Sequence, residues 1–238
     1  MRVIKVSDYE INAKAGGSIV ACFLSDLHEC DTEPVKALLD QYSPDCVLIG
    51  GDYIQNSRYS EKGFKFLTYC AEKYPTFCCL GNHELKYGGD IRADTIKTGV
   101  TLLDNSYAEF KGVLIGGLSS GFKGAKQGNL KKTPPPDTGF LSEFAKKDGF
   151  KILLSHHPEY YPRYIKNTDI QLTLSGHAHG GQWRLFGRGL FAPGQGLFPK
   201  YTSGMYDNRL IVSRGLGDSH SRVPRINNSF EFIVLQIR

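Results

Sequence analysis

No stretch of the 238-residue sequence approaches the roughly 18 consecutive apolar residues that a membrane-spanning helix needs; the longest apolar runs, such as Ile19–Leu24, have the length of a strand. Met1 to Asp8 carries Arg2 and Lys5 but no apolar segment and no small-residue cleavage site. It does not read as an export signal, so the expected address is cytoplasmic, with a membrane-peripheral or exported location reserved for a longer native chain. CxxC spacing is also missing: Cys22, Cys30, Cys46, Cys70, Cys78 and Cys79 fall in the first third, several in strand-like segments, and read as reduced core thiols. Nor is charge blocked. The net +5 is spread along the chain apart from pairs such as Lys131-Lys132 and Lys146-Lys147, which disfavours nucleic acid as a partner and suggests an anionic substrate in only a general way. There is no internal repeat and no low-complexity segment. With 40% hydrophobic and 22% charged residues, the chain has the composition of one globular domain over 1–238.

Through the first half, short apolar runs alternate with helical patterns. The spacing predicts strand Ile19–Leu24, a helix over 34–42, strand Cys46–Ile49, helix Glu61–Lys73 and a strand over 76–80, which is the rhythm of βαβ units. The one linker-like stretch, 124–138 with its Pro134-Pro135-Pro136 run, is expected to be a loop between two halves. After it come a helix over 141–147, a strand over 152–155, a short helix from Pro158 and strand Leu172–Ser175. The opening stretch 3–11, the stretch 205–213 with Asp207-Asn208 as a turn, and Phe230–Ile237 read as antiparallel or edge strands. The fold class expected is α/β, a two-sheet β-sandwich flanked by helices.

Each strand predicted in the α/β core is followed at once by residue types that bind metals. Ser25-Asp26-Leu27-His28 follows Leu24, Gly50-Gly51-Asp52 follows Ile49, and Gly81-Asn82-His83-Glu84 follows Leu80. Ser155-His156-His157 follows Leu154, and Gly176-His177-Ala178-His179 follows Ser175. Sites in open α/β sheets form at the carboxyl ends of strands. Five strands therefore bring Asp26, His28, Asp52, Asn82, one of the His156-His157 pair, His177 and His179 to one rim. This mixed nitrogen and oxygen set suits divalent transition metals, and seven donors suit two ions better than one. Side chains alternate along a strand, so only one of His156 and His157 faces the ions. Six of the seven histidines lie in these motifs; only His220 lies elsewhere. Gly51, Gly81 and Gly176 are expected to form tight turns with positive φ.

The ordered set Asp26-x-His28, Gly51-Asp52, Gly81-Asn82-His83-Glu84, His156 and Gly176-His177-x-His179 resembles the calcineurin-like metallophosphoesterase superfamily over most of the chain. Gly180-Gly181-Gln182, Ser213-Arg214-Gly215-Leu216-Gly217 and Pro224-Arg225-Ile226-Asn227-Asn228 resemble its bacterial YkuE-like branch. The resemblance implies a four-layer α/β/β/α metallophosphoesterase fold. It also implies a dinuclear metal-dependent hydrolase that cleaves a phosphodiester, phosphomonoester or pyrophosphate bond with a hydroxide bridging two divalent ions. Asp26, His28, Asp52 and His179 would hold one ion, and Asp52, Asn82, His156 and His177 the other. Asp52 then bridges ions about 3.5 to 4 Å apart. The same resemblance makes His156 rather than His157 the ligand and gives His83 the catalytic task of donating a proton to the leaving-group oxygen. Manganese, iron or zinc are expected before calcium, because imidazole supplies half the ligands, and no further cofactor is implied. A nuclease or cyclic-nucleotide phosphodiesterase is the alternative activity. A catalytically inactive protein-binding scaffold is the rival from another class, and the complete ligand set with His83 argues against it.

Other signals compete. Glu84 either orients His83 or caps the segment that follows it. Residues 116–121 have the glycine spacing of a P-loop, but Phe122 stands where the lysine belongs and no Ser or Thr follows, so that motif is dismissed. The 183–206 stretch carries Leu185, Phe186, Leu190, Phe191, Leu197, Phe198 and Tyr201. These are expected to fold back as a cover on the sheet edge; the alternative is an apolar pocket, which would give a lipid-linked rather than a small-molecule phosphate as substrate. Arg184, Arg188, Arg214, Arg222 and Arg225 are candidate phosphate contacts.

Overall fold

The computed structural model describes residues 3–13, 18–55, 61–122, 133–218 and 224–238; Arg2, Lys131-Lys132, His220, Arg222 and most of the 124–138 stretch lie outside these. In chain order the elements are β1 (Ile4–Ile11), β2 (Ile19–Leu24), α1 (Glu33–Tyr42), β3 (Cys46–Ile49), α2 (Glu61–Lys73), β4 (Thr76–Cys78), α3 (Ile91–Lys97) and β5 (Thr101–Leu102). There follow β6 (Ser106–Phe110), β7 (Val113–Leu118), α4 (Thr138–Ala145), β8 (Phe150–Ser155) and β9 (Leu172–Ser175). Two small hairpins come next, β10 (Arg184–Leu185) with β11 (Arg188–Gly189) and β12 (Phe191–Ala192) with β13 (Gly196–Leu197). The chain ends with β14 (Gly204–Tyr206), β15 (Leu210–Val212) and β16 (Phe230–Ile237).

Two six-stranded sheets result, in the orders β1-β16-β2-β3-β4-β5 and β14-β15-β9-β8-β7-β6. β2, β3, β4 and β5 run parallel, as do β7, β8, β9 and β15; β16 is antiparallel to β2 and parallel to the edge strand β1. Alternation divides each strand between two packing layers. Phe23, Leu48 and Ile233 of the first sheet meet Ile152, Leu174 and Ile211 of the second in the central layer. Cys22, Leu24, Val47 and Ile49 turn the other way, against Val35 and Leu39 of α1 and Phe66 and Leu67 of α2. On the far side Leu153 and Val212 pack with Leu141 and Phe144 of α4. Strands covered on both faces read as unbroken apolar runs, which is why the core strands were legible. The architecture is the expected sandwich of two sheets flanked by helices.

Three details differ from the sequence reading. α4 begins at Thr138 rather than Leu141, because the Asp137 side chain accepts from the Phe140 N–H at 2.9 Å and starts the helix earlier. The division between sheets falls after β5, whereas Pro134, Pro135 and Pro136 lie between β7 and α4 within the second sheet's half and so mark no boundary between the sheets. The hairpin β6–β7 had no sequence assignment. Its turn is made by Lys111 and Gly112, both at positive φ. The glycines dismissed as a P-loop serve packing: a Cβ on Gly116 would meet Phe144 at 2.8 Å, and one on Gly117 would meet the Leu103 carbonyl at 2.1 Å. All six cysteines are free and buried, and burial pushes the thiols of Cys22 and Cys46 up to about 12. Among the described residues no helix is long and apolar enough to cross a membrane.

Candidate metal centre

β2, β3 and β4 end side by side at one rim of the first sheet, and β8 and β9 end beside them in the second. Their loops are cross-linked. The Asp26 N–H donates to the Gly51 carbonyl (3.0 Å), the His28 N–H to that of Asp52 (3.2 Å) and the Gly176 N–H to that of His156 (3.1 Å). The His177 N–H reaches both carboxylate oxygens of Asp26, at 3.1 and 3.0 Å. The seven residues predicted as ligands, Asp26, His28, Asp52, Asn82, His156, His177 and His179, are all buried. Among the described residues, two groups of three made only of predicted ligands bring one donor atom each within 4.8 Å of one another, Asp26, His28 and His179, and Asp52, His156 and His177; a further group, His28, Asp52 and His83, links them. In the first, His28 Nε2 lies 3.3 Å from His179 Nε2 and 3.8 Å from Asp26 Oδ1. Between the two groups, Asp52 Oδ2 lies 3.1 Å from His156 Nε2 and 3.8 Å from His28 Nε2.

Several of these atoms have no partner among the described residues. Asn82 Oδ1, His156 Nε2 and His177 Nε2 are buried without a hydrogen bond, His156 Nε2 being close to Asp52 but not aligned with it. Each such group costs about 1–3 kcal/mol when unpaired, a penalty that a cation at the rim would remove. The His156 ring is oriented for ligation: its Nδ1–H donates to the Gly50 carbonyl at 2.8 Å, so Nε2 is the nitrogen that can serve an ion once a cation displaces its proton. His179 is set differently. Arg225 Nη2 lies 3.2 Å from His179 Nδ1, and a guanidinium only donates, so this contact must yield before Nε2 can serve an ion.

The electrostatics also favour cations. Burial alone would raise the carboxyls of Asp26 and Asp52, but the surrounding imidazoles outweigh it and hold both below the usual range. Burial keeps His177 low and holds His179 down to about 3, so both rings are neutral and offer lone pairs. Burial opposes charge on His156 too, yet Asp52 raises it to about 10: the carboxylate demands positive charge beside it. His83 is the most open member, with a side chain 16% exposed, its ring edge-on to His28 at 4.6 Å and its Nε2 3.8 Å from Asp52 Oδ2. It lines the mouth of the site.

The expected glycine turns need correction. Only Gly51 has positive φ, whereas Asp26, His28, Asp52, His177 and His179 themselves adopt the left-handed region. That conformation is disfavoured for side-chain-bearing residues, and it concentrates here on the ligands. Gly81 and Gly176 supply space instead: a Cβ on Gly81 would meet Asp52 Oδ1 at 2.2 Å, and one on Gly176 would meet Asp26 Oδ2 at 2.3 Å.

Glu84 does neither task expected of it. Fully buried, it accepts from the backbone N–H groups of Asp52 (2.8 Å), Gly81 (2.8 Å) and Ile54 (3.1 Å), tying the loop after β3 to the loop after β4. Burial first, then the charge of Asp52, pushes its carboxyl up to about 7. Glu84→Gln keeps one acceptor oxygen but turns an NH₂ toward a backbone N–H. A loss of about 1–3 kcal/mol is expected in urea unfolding of the chelator-treated protein, and an unchanged midpoint would remove Glu84 from this role.

His157 faces away from Asp52, as alternation requires. Its Nε2 lies 2.7 Å from Ser120 Oγ and its Nδ1 3.5 Å from Glu159 Oε1, and Glu159 also accepts from Thr133 Oγ1. His157, Glu159 and His177 form another close group, so His177 sits between this buried cluster and Asp52. Glu159 and Ser120, and the actual role of Glu84, escaped the sequence reading because most of their partners lie tens of residues away along the chain.

The 183–206 stretch is only partly a cover. Tyr201 and Ala192 join the core beside the second sheet, but Leu185, Phe186, Leu197 and Phe198 remain exposed, because the two hairpins hold their tips off the sheet. Of the arginines, Arg184 donates to the carbonyls of Gly180 and Gly187, Arg214 to Ser229 Oγ, and Arg225 to the carbonyls of Arg214 and Gly217; Arg188 is exposed. Asn228 Nδ2 donates to the carbonyls of His179 (2.7 Å) and Gln182 (3.1 Å), which locks the Gly180-Gly181-Gln182 turn under the site.

Comparison with known proteins agrees with this geometry. Residues 20–181 match the calcineurin-like phosphoesterase family. Phosphodiesterase YaeI of Escherichia coli (strain K12) is 28% identical over 240 residues, covering 90% of this chain and 80% of YaeI. The uncharacterized metallophosphoesterase YkuE of Bacillus subtilis (strain 168) is 30% identical over 200 residues, covering 79% of this chain and 66% of YkuE. The crystal structure of TT1561 of Thermus thermophilus superposes with a TM-score of 0.51 at 16% identity, covering 67% of this chain and 82% of that one, a likeness of fold. The chain belongs to the calcineurin-like phosphoesterase family, among the bacterial metallophosphoesterases that include YkuE, and is a metal-dependent phosphoesterase.

Proposed function

We propose that the chain hydrolyses a phosphate ester or anhydride with two divalent ions at this rim and with Asp52 shared between them. The observation that carries the reading is the place of Asp52 Oδ2, within 4 Å of a histidine nitrogen from each group. Asp26, His28, Asp52 and His179 would hold one ion, and Asp52, Asn82, His156 and His177 the other. When bound, such ions supply Lewis acidity toward phosphoryl oxygens and lower the pKa of a nucleophilic water. The protein positions these groups. Gly50 fixes the His156 ring, Asp26 anchors the His177 backbone, Glu84 holds the Asp52 loop, and His83 stands at the mouth where an N–H can meet the leaving-group oxygen. The name of YaeI supports a phosphodiester, ahead of a phosphomonoester or pyrophosphate, as the bond cleaved. Manganese, iron and zinc are the ions that this imidazole-rich set suits.

The test is hydrolysis of bis-p-nitrophenyl phosphate and p-nitrophenyl phosphate by the chelator-stripped protein with manganese, zinc or iron restored. Metal-dependent turnover with preference for the diester is expected. Silence with every metal, despite two ions bound per chain, would replace the hydrolase reading with a protein-binding scaffold.

A further inference from the structure

The chain leaves the metal centre at Gln182 and returns to the second sheet at β14, and the two hairpins between are joined edge to edge. The Leu190 N–H donates to the carbonyls of Gly181 (3.1 Å) and Trp183 (2.9 Å), and the Phe198 N–H donates to the Leu190 carbonyl (2.9 Å). Together they enclose an apolar groove of about 320 Å³ lined by Gln182, Trp183, Leu190, Phe191, Leu197 and Phe198. Its rim stands in solvent. Phe186 is 99% exposed at the β10–β11 turn, and Phe198 is 79% exposed after β13. Both hold positive φ, 47° and 51°, a conformation that disfavours a bulky side chain. An exposed phenylalanine on a disfavoured backbone contributes little to the fold and leaves its ring available for contact outside the chain.

The charge around these tips identifies the contact. Residues 183–206 carry Arg184, Arg188 and Lys200 and no Asp or Glu, in a chain with 24 acidic residues overall. We propose that the two hairpins dock on the surface of an anionic lipid bilayer, Phe186 and Phe198 entering the acyl boundary while Arg188 and Lys200 meet the headgroups. Two separate protruding tips suit a soft surface that closes around each one. A protein partner needs a continuous patch of about 800 Å² on each side. Docked in this way, the protein carries its metal centre to the lipid–water interface, because the groove begins three residues after His179. That last step rests on the proposed phosphoesterase reading, and would make the substrate a phosphate ester in a lipid headgroup; the docking itself does not depend on it.

The experiment is co-sedimentation of the full chain with phosphatidylcholine vesicles, with and without phosphatidylglycerol. The wild type is expected to sediment with the anionic vesicles and to be released by salt. Phe186→Ser and Phe198→Ser should each weaken partitioning about tenfold, and Arg188→Gln about fivefold. These side chains are exposed, so the variants keep the wild-type circular dichroism spectrum. Equal sedimentation of wild type and the double phenylalanine variant, or no sedimentation at all, overturns the proposal. So does a dimer, seen by sedimentation velocity without vesicles, that the same variants dissociate, since the occupant would then be a second copy. Metal-dependent hydrolysis of a soluble ester by the wild type is read separately, and its failure would leave the vesicle result standing.

Discussion

Asp52→Asn is expected to lower kcat/KM for a phosphodiester by about 10²- to 10⁴-fold, roughly 3–5 kcal/mol of transition-state stabilisation. The substitution is nearly isosteric. Asparagine can keep an oxygen at Oδ1, where the His83 N–H donates at 2.9 Å, and the backbone N–H still reaches Glu84. What changes is Oδ2, which becomes an NH₂ facing His156 Nε2 at 3.1 Å and His28 Nε2 at 3.8 Å. An NH₂ cannot coordinate a cation, so both candidate groups lose the same ligand at once. Elemental analysis of the purified variant should therefore find fewer ions per chain. Full metal content with full activity in Asp52→Asn would end the shared-carboxylate reading, and loss of a single ion would confine Asp52 to one site.

Much of this site was legible because of how buried sheets are written in sequence. A strand covered on both faces is an uninterrupted apolar run, so the first polar residue after Leu24, Ile49, Leu80, Leu154 or Ser175 marks where the chain leaves the core. Chemistry placed at that point stands out. Strand alternation implied that only one of His156 and His157 faces the ions; His156 Nε2 lies 3.1 Å from Asp52 Oδ2, whereas His157 meets Ser120 and Glu159. The supports of the ligands were not legible. Glu84 meets the Asp52 and Ile54 amides across 30 or more residues, and nothing local announces that a glutamate will serve three backbone donors. The left-handed backbone of the ligands was also hidden, since neighbouring glycines drew attention to themselves as the flexible residues. Phe186 and Phe198 misled for the opposite reason: apolar side chains are ordinarily read as core, and only the hairpins reveal that these two point outward.

His83→Ala is expected to reduce kcat by about 10²- to 10⁴-fold for an ester with a poor leaving group, the range typical of a lost proton donor, while KM and the ions bound per chain remain near wild type. His83 lies close enough to His28 and Asp52 to form a ligand group with them, its Nε2 3.8 Å from Asp52 Oδ2, so the ion count decides whether it ligates; metal binding should survive because the proposed sites are complete without it. Its burial holds the ring down to about 4, so in the free protein it is neutral, and a neutral imidazole still carries one N–H to donate. The decisive comparison is therefore between leaving groups. p-Nitrophenolate departs without protonation and should make the variant's defect small, whereas an alkoxide needs a donor and should show the full loss. Equal defects on both esters would assign His83 to substrate positioning instead of proton donation, and loss of bound ions would make it a ligand.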